Sequence, residues 1–174
     1  MPTTKITRPK VLTYLNTTPS STATYGLLGL GVTTGQISMN ANVTTEQYIH
    51  QETAYNSIDS YAPNLPITQT AYKGDAVYDF IFDLYYNRKT GSDCETDILN
   101  IYLVEEASTG NYKAEKQNVA IEIGSYGGDA GNPVQIEYTI HYNGSATLGT
   151  ATITAGVPSF SASTPSQSSN SEQL

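Results

Sequence analysis

Val134, Ile136, Tyr138, Ile140 and Tyr142 alternate without a break with Gln135, Glu137, Thr139 and His141. A strict period of two reads as a strand with one dry face and one wet face, because successive side chains leave a strand on opposite sides. Asn143-Gly144 follows, the dipeptide that most favours a two-residue hairpin turn, so Ala146 to Ile153 is expected to return as the partner strand. Val119, Ile121 and Ile123 repeat the alternation against Ala120 and Glu122. Ile98 to Val104 is apolar on both faces, the pattern of a strand covered on both sides. Tyr25 to Val32 and Pro66 to Tyr72 are weaker strand candidates.

One segment changes period. Val77, Phe80, Ile81, Leu84 and Tyr85 fall at i, i+3, i+4, i+7 and i+8, one stripe of an amphipathic helix over 75–88. Asp75 suits the N-cap. Arg88 and Lys89 stand in the last turn, where the helix dipole favours cations, and Gly91 is the expected stop. The residues therefore predict a mainly β domain, two packed sheets with one helix against them. Residues 1–20 show no sustained period and read as an N-terminal arm, ahead of a domain over 21–155. Residues 33–65 are polar with scattered Tyr and Ile, a long loop or arm of the kind that is usually functional. Residues 156–174 are Ser-rich and are expected to be a disordered tail.

Composition narrows the function. The protein has 174 residues, close to the ~100–150 of a single domain. Cys94 is the lone cysteine, and His50 and His141 are the only histidines, so a disulfide scaffold and a zinc site are both excluded. Lys and Arg number 8 against 16 Asp and Glu, a net charge of -8, which argues against a protein that grips nucleic acid through phosphates. No stretch approaches the ~18 apolar residues of a membrane helix, and the first ten residues lack a signal-peptide core, so the protein is expected to be soluble and made in the cytoplasm, unless a pathway without such a signal exports it.

Catalytic constellations are weak. Asp79 and Asp83, four apart on the helix, fit a solvated face better than an acid/base pair. His141 has Glu137 on the same strand face but no third partner, and Cys94 between Asp93 and Glu95 would be a poor thiolate. The glycine runs 26–31 and 124–131 lack the order and the helix of a nucleotide loop. No enzyme, metal or cofactor is expected. Charge placement says more. Residues 1–10 hold Lys5, Arg8 and Lys10 and no acid, whereas 75–106 hold eight acids against Arg88 and Lys89. A basic arm and an acidic body could pair between copies.

An ordered series of segments resembles the tail tube proteins (major tail proteins) of long-tailed, non-contractile phages, mostly those of Gram-positive hosts. It runs from Glu46-Gln47-Tyr48-Ile49 and Tyr61-Ala62-Pro63 through Tyr72-Lys73-Gly74-Asp75-Ala76-Val77-Tyr78-Asp79-Phe80-Ile81 and Arg88-Lys89-Thr90-Gly91. It continues through Ala114-Glu115-Lys116-Gln117-Asn118-Val119-Ala120-Ile121 and Gly127-Gly128-Asp129-Ala130-Gly131 to Gly149-Thr150, about residues 25–153 in all. The resemblance implies a β-sandwich or incomplete barrel with one flanking helix, related to contractile-tail and type VI secretion tube proteins. It implies hexameric rings stacked into a virion tail tube, assembled in the host cytoplasm, through which genome DNA passes without being bound. It also implies tape-measure, terminator and tip proteins as partners, and no membrane.

On that basis Glu122, Gln135, Glu137 and His141, the polar faces of the best strands, are candidates to line the lumen, where an acidic wall would repel phosphate, with the outer surface as the opposite assignment. Lys5, Arg8, Lys10, Tyr48, Tyr55, Tyr61, Asp93 and Glu95 are candidates for contacts between subunits or rings. The alternative is a carbohydrate-binding β-sandwich on a phage or secreted surface, with some of the 14 Tyr as sugar platforms.

Overall fold

The computed structural model describes residue 3 and residues 5–163. The protein runs β1 (Val11–Asn16), β2 (Tyr25–Leu27), β3 (Ala41–Glu46), β4 (Tyr55–Tyr61), β5 (Asn64–Thr70), α1 (Ala76–Tyr86), β6 (Glu95–Ser108), β7 (Asn111–Gly127), β8 (Gln135–Thr154) and β9 (Val157–Ala162). Short 3-10 turns, Arg8–Lys10 and Gly91–Cys94, precede β1 and β6. Seven strands make one sheet in the order β2-β1-β6-β7-β8-β5, with β9 also on β8. Every pairing is antiparallel. The sheet curls into a nearly closed barrel flanked by α1, the incomplete barrel expected from the sequence. β3 and β4 form a separate two-stranded sheet.

β8 organises the barrel. Its first part, Gln135 to His141, pairs with β5, and Gly149 to Thr154 pairs with β9, while β7 runs along its other edge. Two apolar clusters form on opposite faces. The larger gathers Leu15, Leu65, Ile67, Ile98, Val119, Ile121, Ile136, Tyr138 and Ile140 beneath Val77, Tyr78, Ile81 and Leu84 of α1. The smaller gathers Tyr14, Leu99, Ile101, Ala114 and Ala151, with Phe160 of β9 packed against it. β6 thus feeds Ile98 to one cluster and Leu99 and Ile101 to the other, so the doubly apolar strand is covered on both sides within its own subunit. From Val104 onward it is exposed.

α1 begins as expected, with the Asp75 carboxylate accepting from the Tyr78 N–H at 2.9 Å. The same Oδ2 accepts from Gln69 Nε2 at 3.2 Å. Gln69 is fully buried; it also donates to the Leu30 carbonyl at 3.0 Å, and its Oε1 accepts from the Tyr138 hydroxyl at 3.0 Å. One amide thereby ties β5, β8, the loop after β2 and the helix cap. The helix stops well before Gly91. Arg88 takes the left-handed conformation, φ 51°, and the N–H groups of Arg88 and Lys89 bond back to the carbonyls of Tyr85 and Leu84 at 3.2 and 3.1 Å. That is the Schellman closure, made here with arginine where glycine is usual.

Four sequence expectations change. The N-terminal arm is shorter than 1–20, because Val11–Asn16 is β1, paired with β6, with Thr13 to Asn16 buried. Its period is invisible because both faces are covered: Tyr14 enters one cluster and Leu15 the other. The stretch 33–65 is not a plain loop but holds hairpin β3–β4 and the start of β5. The Ser-rich tail is ordered at its start, where Val157–Ala162 forms β9; residues 164–174 of that expected disorder lie outside the described residues. Finally, Asn143-Gly144 is not a hairpin. Such a turn needs positive φ at both central residues, and only Gly144 has it, φ 66°. The backbone runs on as β8 with a bulge: Asn118 faces Asn143 and Lys116 faces Thr147, leaving Gln117 opposite three residues. Gln117 Nε2 fills the gap by donating to the Gly144 carbonyl at 2.7 Å.

The Gln69 amide is the most exacting part of this core. Gln69→Leu is expected to cost about 2–4 kcal/mol, since it leaves the buried Tyr138 hydroxyl without a partner and removes the bonds to the Leu30 carbonyl and the Asp75 carboxylate. Tyr138→Phe, which removes one bond, should cost about 1 kcal/mol. Urea unfolding of both variants checks the difference.

Candidate assembly and conduit surfaces

The four lumen candidates share one side of the barrel wall. Gln135, Glu137 and His141 alternate with Ile136, Tyr138 and Ile140, which are buried under α1, so they face away from that core. Glu122 joins them from β7. Its carboxylate stands 2.7 Å from His141 Nε2, and Glu137 accepts from Ser125 Oγ at 2.7 Å. The neighbours on β5 are Asn64, Pro66 and Thr68, facing His141, Thr139 and Glu137. Neither β5 nor β8 contains a lysine or arginine, and none occurs in the sequence after Lys116. Lys116 itself is occupied: it lies 3.4 Å from Asp97, which also accepts from Asn16 Nδ2 and from the Tyr25 hydroxyl. The surface is acidic and polar with no free cation among its described residues.

The cationic and anionic candidates lie far apart. Lys5, Arg8 and Lys10 are exposed at the entry to β1, where Val11 faces Tyr102 of β6. Asp93 and Glu95 flank the start of β6. Tyr102 is a whole half-strand away from Glu95, roughly 23 Å at strand rise. Arg8 bonds to the Val11 carbonyl. Asp93 and Glu95 line a shallow depression with Asp83, whose carboxylate pairs with Lys89 at 2.5 Å. Within one subunit, then, the two sets do not meet.

Tyr48, Tyr55 and Tyr61 all belong to the β3–β4 hairpin. Ala41 to Glu46 pairs with Tyr55 to Tyr61 with a bulge at Asn42/Val43. Its base is fixed by paired bonds between Ser38 and Asn64 at 2.8 and 2.9 Å. Beyond that base the hairpin covers nothing: Tyr55 is 66 % exposed, Ile58 58 %, Tyr61 52 % and Val43 50 %, and Ile49 at the tip is wholly exposed. A two-stranded ribbon without a core is at best marginal in water, so these apolar side chains mark a surface to be covered. Sequence reasoning found the tyrosines but missed Val43, Ile49 and Ile58. The β-branched content of 41–46 was the available signal; alternation fails there because neither face is buried.

The aromatic residues of α1 form a packed group instead of a row of open rings. Tyr85 stacks on Tyr126 at 4.8 Å, Phe82 meets Tyr126 at 5.5 Å and Tyr86 at 5.9 Å, and Tyr78 stacks on Phe82 at 5.9 Å. The rings of Tyr78, Phe82, Tyr85 and Tyr126 pack on one another, while Tyr86 stays exposed. Cys94 is partly buried; burial, then the charge of Asp93, pushes its thiol above the usual value. Among the described residues no group of three or more His, Cys, Asp or Glu is placed to hold a metal.

No protein-family model matches the sequence, and no curated protein does. Solved structures do share the fold. The SPP1 tail tube, determined by solid-state NMR and cryo-EM, superposes with a TM-score of 0.64 at 17% identity, over 83% of this protein and 78% of that one. The tail of an empty gene transfer agent particle, refined with helical C6 symmetry, gives 0.58 at 11% identity, over 82% of this protein and 98% of that one. The virion of the native gene transfer agent particle gives 0.58 at 10% identity, over 83% of this protein and 98% of that one. The protein has the tail tube fold.

Six tyrosines make the fold sensitive to alkali. Burial raises the phenols of Tyr14, Tyr25, Tyr102, Tyr138 and Tyr142 above their ordinary value near 10, and burial followed by the Tyr126 hydroxyl takes Tyr78 to about 12. The native state therefore keeps these protons after the unfolded state has lost them. The contribution of Tyr78 is intact below pH 10 and is lost as pH rises from 10 through about 12, and the other five lose theirs above pH 10. Tyrosinate absorbance and circular dichroism, followed together, should show these phenols ionising in one step with unfolding.

Proposed function

We propose that this protein is the subunit of a tail tube: copies join in hexameric rings, rings stack into a hollow virion tail, and genome DNA passes through the lumen. The observation that carries the proposal is the tail tube fold, shared over 83% of the protein with the SPP1 tube. An exposed hairpin that has nothing to cover within its own subunit agrees with it. The role is structural and not enzymatic. Tape-measure, terminator and tip proteins would be the partners, and assembly would take place in the host cytoplasm.

Glu122, Gln135, Glu137 and His141 are assigned to the lumen wall. A wall without cations lets a polyanion slide, because every phosphate contact that would hold it is missing. The hairpin residues Tyr48, Tyr55 and Tyr61 are assigned to contacts between rings. Lys5, Arg8 and Lys10 are assigned to the Asp93 and Glu95 end of a neighbouring copy. Head-to-tail contacts that do not close propagate into a filament, as stacked rings require.

Electron microscopy of the purified protein over a concentration series tests the proposal. Hollow rods are expected at high concentration. Ile58→Glu should abolish rods and leave the circular dichroism spectrum unchanged, since the hairpin lies outside both cores. Glu substitutions at Lys5, Arg8 and Lys10 should raise the concentration needed for rods, and salt should mimic them, because exposed pairs contribute only about 0.2–1 kcal/mol each and are screened. Monomers at every concentration that bind on a glycan array would overturn the tube in favour of a sugar-binding module.

A further inference from the structure

We propose that Asn143 is a site of spontaneous deamidation, through which the folded protein gains a carboxylate on the polar face of β8 as it ages. Asn143-Gly144 is the one Asn-Gly pair in the sequence. Its failure to form a hairpin leaves it in the β8 bulge, where three features favour the reaction.

The backbone leaves the ladder directly after Asn143, which still faces Asn118. Gly144 to Ala146 have no register partner on β7, and on the other edge β5 ends at His141 and β9 begins opposite Gly149. The site is open: Asn143 and Gly144 are both exposed, and nothing lies within 4 Å of the point where a Cβ on Gly144 would stand. The attacking amide is polarised. Gln117 Nε2 lies 3.5 Å from the Asn143 carbonyl oxygen and 2.7 Å from that of Gly144. A donor at the Asn143 carbonyl stabilises the negative charge that develops on that peptide when the Gly144 N–H is lost. Several other asparagines among the described residues lack this set. Asn16 and Asn100 are buried, and Asn42, Asn100 and Asn118 precede β-branched residues that crowd the attack.

The reaction needs only water. A hydroxide ion takes the Gly144 N–H proton, and the nitrogen attacks Cγ of Asn143. The new bond closes a succinimide as the bond from Cγ to Nδ2 breaks and the amide nitrogen takes a proton from water and leaves as ammonia, which regenerates the hydroxide. Water then adds to either ring carbonyl and reopens it to aspartate or isoaspartate, with no change of oxidation state. Isoaspartate lengthens the backbone by one methylene. β8 already carries surplus residues over β7 just after the Asn143–Asn118 pair, so the extra atom enters where the ladder leaves register. Asn143 continues the row Glu137, Thr139, His141, so the new charge joins that face. Its meaning for the lumen rests on the tube proposal; the chemistry does not.

The full-length protein and a synthetic peptide of residues 140–147 are incubated side by side at mildly alkaline pH, and Asn143 is followed by mass spectrometry and by isoaspartyl methyl acceptance. A gain of about one dalton at position 143, at a rate within tenfold of the peptide's, is expected, with no gain in Asn143→Ser. Gln117→Leu should slow the folded protein severalfold relative to the peptide, which lacks position 117 and serves as the common reference. A folded protein that stays unmodified after the peptide has fully converted overturns the proposal, whether or not rods form. An unchanged rate in Gln117→Leu overturns the role given to Gln117.

Discussion

β8 must satisfy β5 and β9 on one edge, β7 along the other, and apolar clusters on both faces. A strand this long can do so only if it bends, and the bend comes from surplus residues at 144–146 and a glycine at positive φ. Before the bulge, β8 presents Ile136, Tyr138 and Ile140 to α1. After it, Ala151 packs beside Leu99 and Ile101 on the opposite face of the sheet. The barrel, the second core and the docking of β9 all follow from that one strand changing partners without ending.

Polarity is divided as sharply as packing. The polar face of β7 and β8 carries carboxylates, hydroxyls and amides around Glu122, Glu137 and His141, while the cations sit in β1's approach, around the helix end, or locked onto acids as Lys116 is on Asp97. A surface of that kind is soluble, repels anions and gives little for another protein to grip. The hairpin β3–β4 is the reverse: apolar, projecting and coreless. One molecule thus carries an acidic, polar face and an exposed apolar hairpin at different places on the same fold.

How much of this could be read beforehand depended on burial. α1 and the alternating parts of β7 and β8 are legible because each has one wet face and one dry face. β1 is illegible because Tyr14 and Leu15 are both buried, and β3–β4 because both faces are wet; in each case alternation vanishes. β9 hides behind serines, since its ladder with β8 comes from the backbone and needs no apolar run beyond Phe160. Asn143-Gly144 misled for a different reason: dipeptide preference describes which turns are allowed, and a glycine alone at positive φ serves a bulge equally well. Of the surfaces, the charged and tyrosine positions were legible as residues, but the placing of the basic and acidic sets at opposite ends of the β1–β6 pairing and the grouping of the tyrosines on one arm are properties of the register.

The confinement of lysine and arginine to the first two-thirds of the sequence has a further effect. From Gln117 to Leu174 there is no residue after which a trypsin-like protease can cut. The stretch includes most of β7, all of β8 and all of β9, and so the Gly144 bulge where the ladder is most open. These strands are thereby closed to one large class of digestive enzyme by composition, before packing adds anything.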